Sequence, residues 1–100
     1  EEMNEIFSSS ELDQKARRLS VVQPRLTSTL LRQAPATVVV IFIVDENGRV
    51  QDPKVQRTTN PSFDRSALAA IKQWKFEPAK VQGRSVSSRL RQSFSFENNT

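Results

Sequence analysis

The chain has no cysteine and no histidine among its 100 residues. The first absence excludes disulfide scaffolds, thiol catalysis and iron–sulfur ligation. The second removes His-ligated zinc, a histidine general base and the serine–histidine–aspartate triad together. Glycine is almost as scarce. Gly48 and Gly83 are the only two, so there is no glycine-rich loop to cradle a phosphate. No apolar run approaches the roughly 20 residues that span a bilayer. The longest, Val38 to Val44, has the length of a strand. No basic stretch leads into an apolar one at the N-terminus, as a secretory signal would require. A chain of this size makes one domain and buries roughly 60–70% of the surface its unfolded form exposes.

Charge is present in excess and unevenly placed. The net charge is +4, yet residues 1–13 carry Glu1, Glu2, Glu5, Glu11 and Asp13 and no base. The basic remainder, in which Arg outnumbers Lys, would suit an acidic partner or simply keep the domain soluble. Residues 1–14 read as an acidic linker or frayed terminus, with Ile6, Phe7 and Leu12 as docking points. Residues 15–97 read as the domain and 98–100 as a frayed tail.

Within the domain, 17–22 suits a short strand. Pro24 suits a first helical position, and Leu26, Leu30 and Leu31 follow at helical spacing up to Pro35. Thr37 to Asp45 is rich in Val, Ile and Phe and predicts a strand. Asn47-Gly48 predicts a hairpin turn into a return strand over 49–58. Pro53 inside that strand belongs on an outer edge or at a bulge. Asn60-Pro61 reads as the cap and first residue of a second helix. Its apolar stripe is Phe63, Ala67, Ala70, Ile71 and Trp74, and Pro78 stops it. A turn at 82–84 leads to a last strand over 85–96. There Val86, Leu90, Phe94 and Phe96 alternate with Ser87, Arg89, Arg91, Ser93 and Ser95. The order strand–helix–strand–strand–helix–strand predicts an α+β two-layer sandwich. It has an antiparallel sheet of three to four strands and two helices on one face.

Little chemistry is encoded. The carboxylates are scattered, and no pair is set on one face for acid–base work. Asp45-Glu46-Asn47-Gly48 offers oxygen ligands, but the spacing is too short for a calcium loop and suits the hairpin turn. No metal ligand set and no cofactor site is expected. Nucleic acid is disfavoured, because base-stacking sheets show aromatics on the open face. Here Val39, Ile41 and Ile43 face outward instead. A second subunit, a partner or the N-terminal segment could cover these aliphatics, or Arg89 and Arg91 stems could lie over them. The last strand, with its Ser/Arg face near a sheet edge, could accept another strand by backbone pairing. Equally, Arg89 and Arg91 could defend that edge.

Three stretches together resemble a known family. They are V-V-V-I-F-I-V-D-E-N-G-R-V (38–50), N-P-S-F-D-R-S-A-L-A-A-I-K-Q-W-K-F-E-P-A (60–79) and G-R-S-V (83–86) before the alternating strand. Residues 15–97 resemble the C-terminal domain of the TonB energy-transducer family. Two features depart from it. Leu26-Thr27 stand where the family has an aromatic-proline pair, and Ala34-Pro35-Ala36 where it has glycines.

The resemblance implies a non-enzymatic periplasmic domain, a fragment of a protein anchored in the inner membrane by an N-terminal helix. It implies coupling to the ExbB–ExbD proton-driven motor and capture of the TonB-box peptide of an outer-membrane transporter as an added strand. Carried over, peptide binding falls on Val86, Ser87, Ser88, Arg89, Leu90, Arg91, Gln92 and Ser93, with Gln23 as a second contact. Trp74, Phe76 and Pro78 would be structural. The alternatives are a TonB-like recognition or scaffold module of an envelope sensor or peptidase, and a homodimer. In a dimer Val39, Ile41 and Ile43 would meet across a two-fold, and the strand near 17–22 or a neighbour's last strand would fill the binding edge.

Overall fold

Strict alternation builds the centre of the fold. In a computed structural model, which describes residues 6–7 and 12–97, Ala36–Val44 forms strand β3. Its even-numbered residues are buried and its odd-numbered residues half-buried. Before it come β1 (Ile6–Phe7), β2 (Arg17–Ser20) and helix α1 (Ser28–Gln33). After it come β4 (Val50–Thr58), α2 (Asp64–Ile71), β5 (Lys75–Glu77), β6 (Ala79–Val81) and β7 (Arg84–Phe96). The main sheet runs β1–β7–β3–β4, with β6 paired to the start of β7. This is the α+β architecture expected from the sequence.

The β3–β4 turn closes on Asp45. One carboxylate oxygen accepts from the N–H groups of Asn47 and Arg49, each at 2.9 Å, and the other from the Gln51 amide. Burial would raise its pKa, but these donors outweigh it and hold the carboxyl below its ordinary value. Gly48 sits at φ +81°, as such a turn requires. A Cβ there would lie 2.0 Å from the Phe76 carbonyl oxygen. Pro53 lies in β4, the outer strand, beside a register shift and next to Asp52 at φ +53°. Both accommodations foreseen for a strand proline are therefore used.

Asn60 caps a single 3-10 turn, Pro61–Phe63, by accepting from the Ser62 N–H at 3.0 Å. The turn runs into α2, which packs on β3 and β4. Phe63, Ala67, Ala70, Ile71 and Trp74 are all buried, as the stripe predicts. Six rings connect through the core in the order Phe63, Phe96, Phe94, Trp74, Phe76 and Phe42.

Two expectations change. The first helix begins at Ser28, not at Pro24, because Thr27 caps it by accepting the Leu30 N–H at 3.2 Å. A threonine hydroxyl satisfies an orphan N–H there and would be a weak former inside the helix. Residues 21–27 are left without helix or strand. Second, β2 neither joins the main sheet nor fills the edge of β7. It pairs antiparallel with β5, the short strand that follows α2. Phe76 is buried at the centre of β5, and Arg17 fixes the register by donating from Nε to Glu77 at 3.0 Å. Part of the expected linker also touches the domain. Asp13 and Gln14 exchange backbone hydrogen bonds with Lys80, and the Gln82 N–H donates to the Asp13 carboxylate.

Candidate functional site

β7 is the longest strand, and its two edges differ. Towards β3 it is paired from Ala36↔Phe96 to Val44↔Ser88 without a break. On the opposite edge β1 pairs in parallel with Ser87 and Ser88 only. From Arg89 onward no strand of the described residues pairs with that side. Its backbone donors and acceptors are available to another strand.

Facing this edge is a wall made of β2 and the segment that follows it. Two cavities lie between them. One of about 390 Å³ is bounded by Ala16, Arg17 and Arg18 on one side and Leu90 and Gln92 on the other. The next, about 350 Å³, has Val21, Gln23, Pro24 and Leu26 opposite residues 92–97. Arg18 and Gln92 border both, so the two cavities adjoin and form a groove lined along β7. Trp74 fastens the wall. Its ring stands edge-on to Phe94, with centroids 5.6 Å apart, and its Nε1–H donates to the Val22 carbonyl at 2.9 Å.

The expected site residues divide into three groups. Gln23, Gln92 and Ser93 share the cavity of about 350 Å³ with Phe94, although Gln23 is distant in sequence. Leu90 lines the other cavity, and both Leu90 and Gln92 are half-buried. Val86, Ser87 and Ser88 are buried, at 8%, 9% and 1% exposure, and offer backbone rather than side chains. Ser87 was expected on the wet face and is instead nearly enclosed, at the position where β1 pairs. Arg89 and Arg91 turn to the open sheet face. Arg91 donates to Gln56 at 3.4 Å, and Arg89 borders a cavity over Ile41 and Ile43. Arg18, Val21 and Leu26 were missed as groove residues. Nothing in the sequence marks them as a wall: Val21 is 48% exposed, and only the fold brings this segment to β7.

The groove's charge is simple. Arg17 is engaged by Glu77, and this hydrogen bond and charge hold the Glu77 carboxyl below its ordinary value. Arg18 has no ion-pair partner among the described residues, and Glu97 lies at the far end. No group of three or more Asp or Glu side chains among the described residues is placed to hold a metal. On the open face Val39, Ile41 and Ile43 are half-buried. They sit between Arg57 and Lys54 of β4 and Arg89 and Arg91 of β7.

With this geometry in hand, comparison with known proteins is decisive. A family model described as Gram-negative bacterial TonB protein C-terminal matches residues 30–97. The chain belongs to the TonB C-terminal family. It is 35% identical over 60 residues to Protein TonB of Xanthomonas campestris pv. campestris strain B100. That stretch is 59% of this chain and 27% of the relative. Protein TonB of strain ATCC 33913 matches with the same figures. The chain thus spans about a quarter of the length of the curated relatives it matches. The solution NMR structure of the Pseudomonas aeruginosa TonB CTD superposes with a TM-score of 0.73. The match covers 95% of this chain and 96% of that one at 24% identity, a likeness of fold. β7 lies inside the family match, whereas β2 and Gln23 lie before it.

Proposed function

We propose that this domain is the docking end of a TonB-type energy transducer. It captures the TonB-box segment of an outer-membrane transporter as an added strand on the open edge of β7. The observation that carries this proposal is the groove itself: an unpaired edge from Arg89 onward, walled by β2 and Gln23. Main-chain hydrogen bonds would supply affinity there, and Gln23, Leu90, Gln92 and Arg18 would select among side chains.

The task is mechanical and needs no catalytic group. The parent protein would be anchored in the inner membrane and driven by the ExbB–ExbD motor, with this domain in the periplasm. No helix among the described residues is long and apolar enough to cross a membrane. β7 is suited to carry load because its other edge is held by the whole of β3. A pull along the strands would load many ladder bonds together rather than one at a time.

A dimer through Val39, Ile41 and Ile43 is a weaker proposal. Two apposed copies would set Lys54, Arg57, Arg89 and Arg91 against their own equivalents, and like charges at close range repel.

The test is an NMR titration with TonB-box peptides from transporters of the same genome. Saturable shifts at 86–93 and Gln23, differing among peptides, are expected. No shifts from a folded monomer would overturn docking on this edge and favour a scaffold module of a larger envelope protein.

A further inference from the structure

We infer that β1 is a built-in competitor for the docking edge, a strand of the chain itself that an incoming segment must displace to reach Ser87 and Ser88. This rests on the docking function proposed above and adds its regulation. β1 lies on the edge of β7 away from β3, in parallel register, with Ile6 opposite Ser87 and Phe7 opposite Ser88. That is the edge the groove continues from Arg89 onward. An added strand covering the start of the site and β1 would require the same backbone groups.

The seat is built for occupation that can be reversed. β1 spans two residues, and parallel pairing is slightly the weaker kind per residue. β1 is nevertheless hard to outcompete by chance encounter. Asp13 and Gln14 are fixed to Lys80 by backbone hydrogen bonds, so only residues 8–12 separate β1 from an anchored point. A strand on so short a tether acts at an effective concentration on the order of millimolar. A weak, non-cognate strand would fail against it. A cognate segment pairing from Arg89 onward could enter the open groove first and then peel β1 away.

The experiment compares the full chain with its Ile6→Pro/Phe7→Pro variant. Neighbouring N–H groups of a strand point to opposite sides, so changing both residues removes whichever one donates to β7. Both proteins are titrated with one TonB-box peptide from a transporter of the same genome, by calorimetry and by NMR. The variant is expected to bind at least three-fold more tightly. In the unsubstituted chain, the Ile6 and Phe7 amides are expected to shift together with those of 87–93 as the peptide saturates. Equal or weaker binding by the variant overturns the inference while leaving docking intact. So do Ile6 and Phe7 amides that stay unmoved at saturation, a readout that does not depend on how the variant folds. Absence of binding to either protein overturns the docking function, and this inference with it.

Discussion

The two edges of β7 are made from the same residues and are left in opposite states, one paired and one open. One edge is spoken for along its length by β3, and the core rings Phe94 and Phe96 come with it. The other meets only two residues of β1 and then opens on a groove. A strand can therefore be closed on one side and left free to pair on the other. What distinguishes the edges is not their side chains, which the two share, but what the rest of the chain lays beside each. Closed edges resist association, and an open edge invites it.

Trp74 tests whether the two edges are separable, and it carries the largest expected effect. It is buried, contacts Phe94 and holds the groove wall through Val22. Trp74→Ala should cost about 3–5 kcal/mol in denaturant unfolding. Trp74→Phe keeps most of the apolar volume but drops the Nε1–H donor. It should loosen the wall and weaken peptide binding by more than its stability loss explains. If docking by Trp74→Phe were unchanged, the wall would not contribute to the site.

Gly48→Ala strains the β3–β4 turn and presses on β5, the strand that β2 pairs with. A residue forced to φ +81° costs about 1–3 kcal/mol, and the Phe76 carbonyl leaves its Cβ no room. A lower unfolding midpoint is expected, and a calorimetric titration of the folded protein reads how far the displaced β5 carries the wall with it.

Gln23→Ala is the converse. It should leave the unfolding midpoint in place and weaken peptide binding several-fold, as for loss of one hydrogen bond worth roughly 1 kcal/mol. Calorimetric titration reads it directly, and unchanged affinity would remove Gln23 from the site.

These contrasts follow a division already visible in the residues. The alternations in β3 and β7, the Asn47-Gly48 turn and the Phe63-to-Trp74 stripe were legible, because strands and helices impose periods of two and 3.6 on burial. Pro53 on the outer strand was legible because proline lacks an N–H. The start of α1 was not, since Thr27 can serve as a cap or as a helical residue. β5 and its pairing with β2 were not legible either. Strands of three and four residues carry too little pattern, and their register rests on Arg17 meeting Glu77, sixty positions away. For the same reason Gln23 could be tied to the last strand only by family resemblance, while Arg18 and Val21 carried no mark of a groove.

Ser88→Ala carries a smaller effect. It removes a buried hydroxyl without a partner, so the domain should be unchanged or gain up to about 1 kcal/mol. A clear loss in the unfolding midpoint would mean that the hydroxyl is satisfied after all.

The smallest effect belongs to the Arg17–Glu77 pair, which is exposed and screened. The Glu77 pKa is lowered from its ordinary 4.5 in the folded state. Its contribution is therefore fully present above the unfolded value and is lost as pH falls from about 4.5 through the folded pKa. Glu77→Gln should flatten the acid limb of the stability–pH curve slightly in that window and leave neutral pH nearly unchanged.

By itself the sequence determined the class of the fold, the hairpin, the second helix and its buried stripe, and the absence of thiol and histidine chemistry. Those follow from local covalent preference and from periodic burial, which any stretch of ten residues can display. Only the tertiary structure decided that Gln23 faces Gln92 across a groove and that β1 lies on the edge of β7 away from β3. Each of these depends on which distant segment comes to rest beside β7. That is set by the packing of Trp74, Phe76 and their partners over the whole domain, and no local pattern records it.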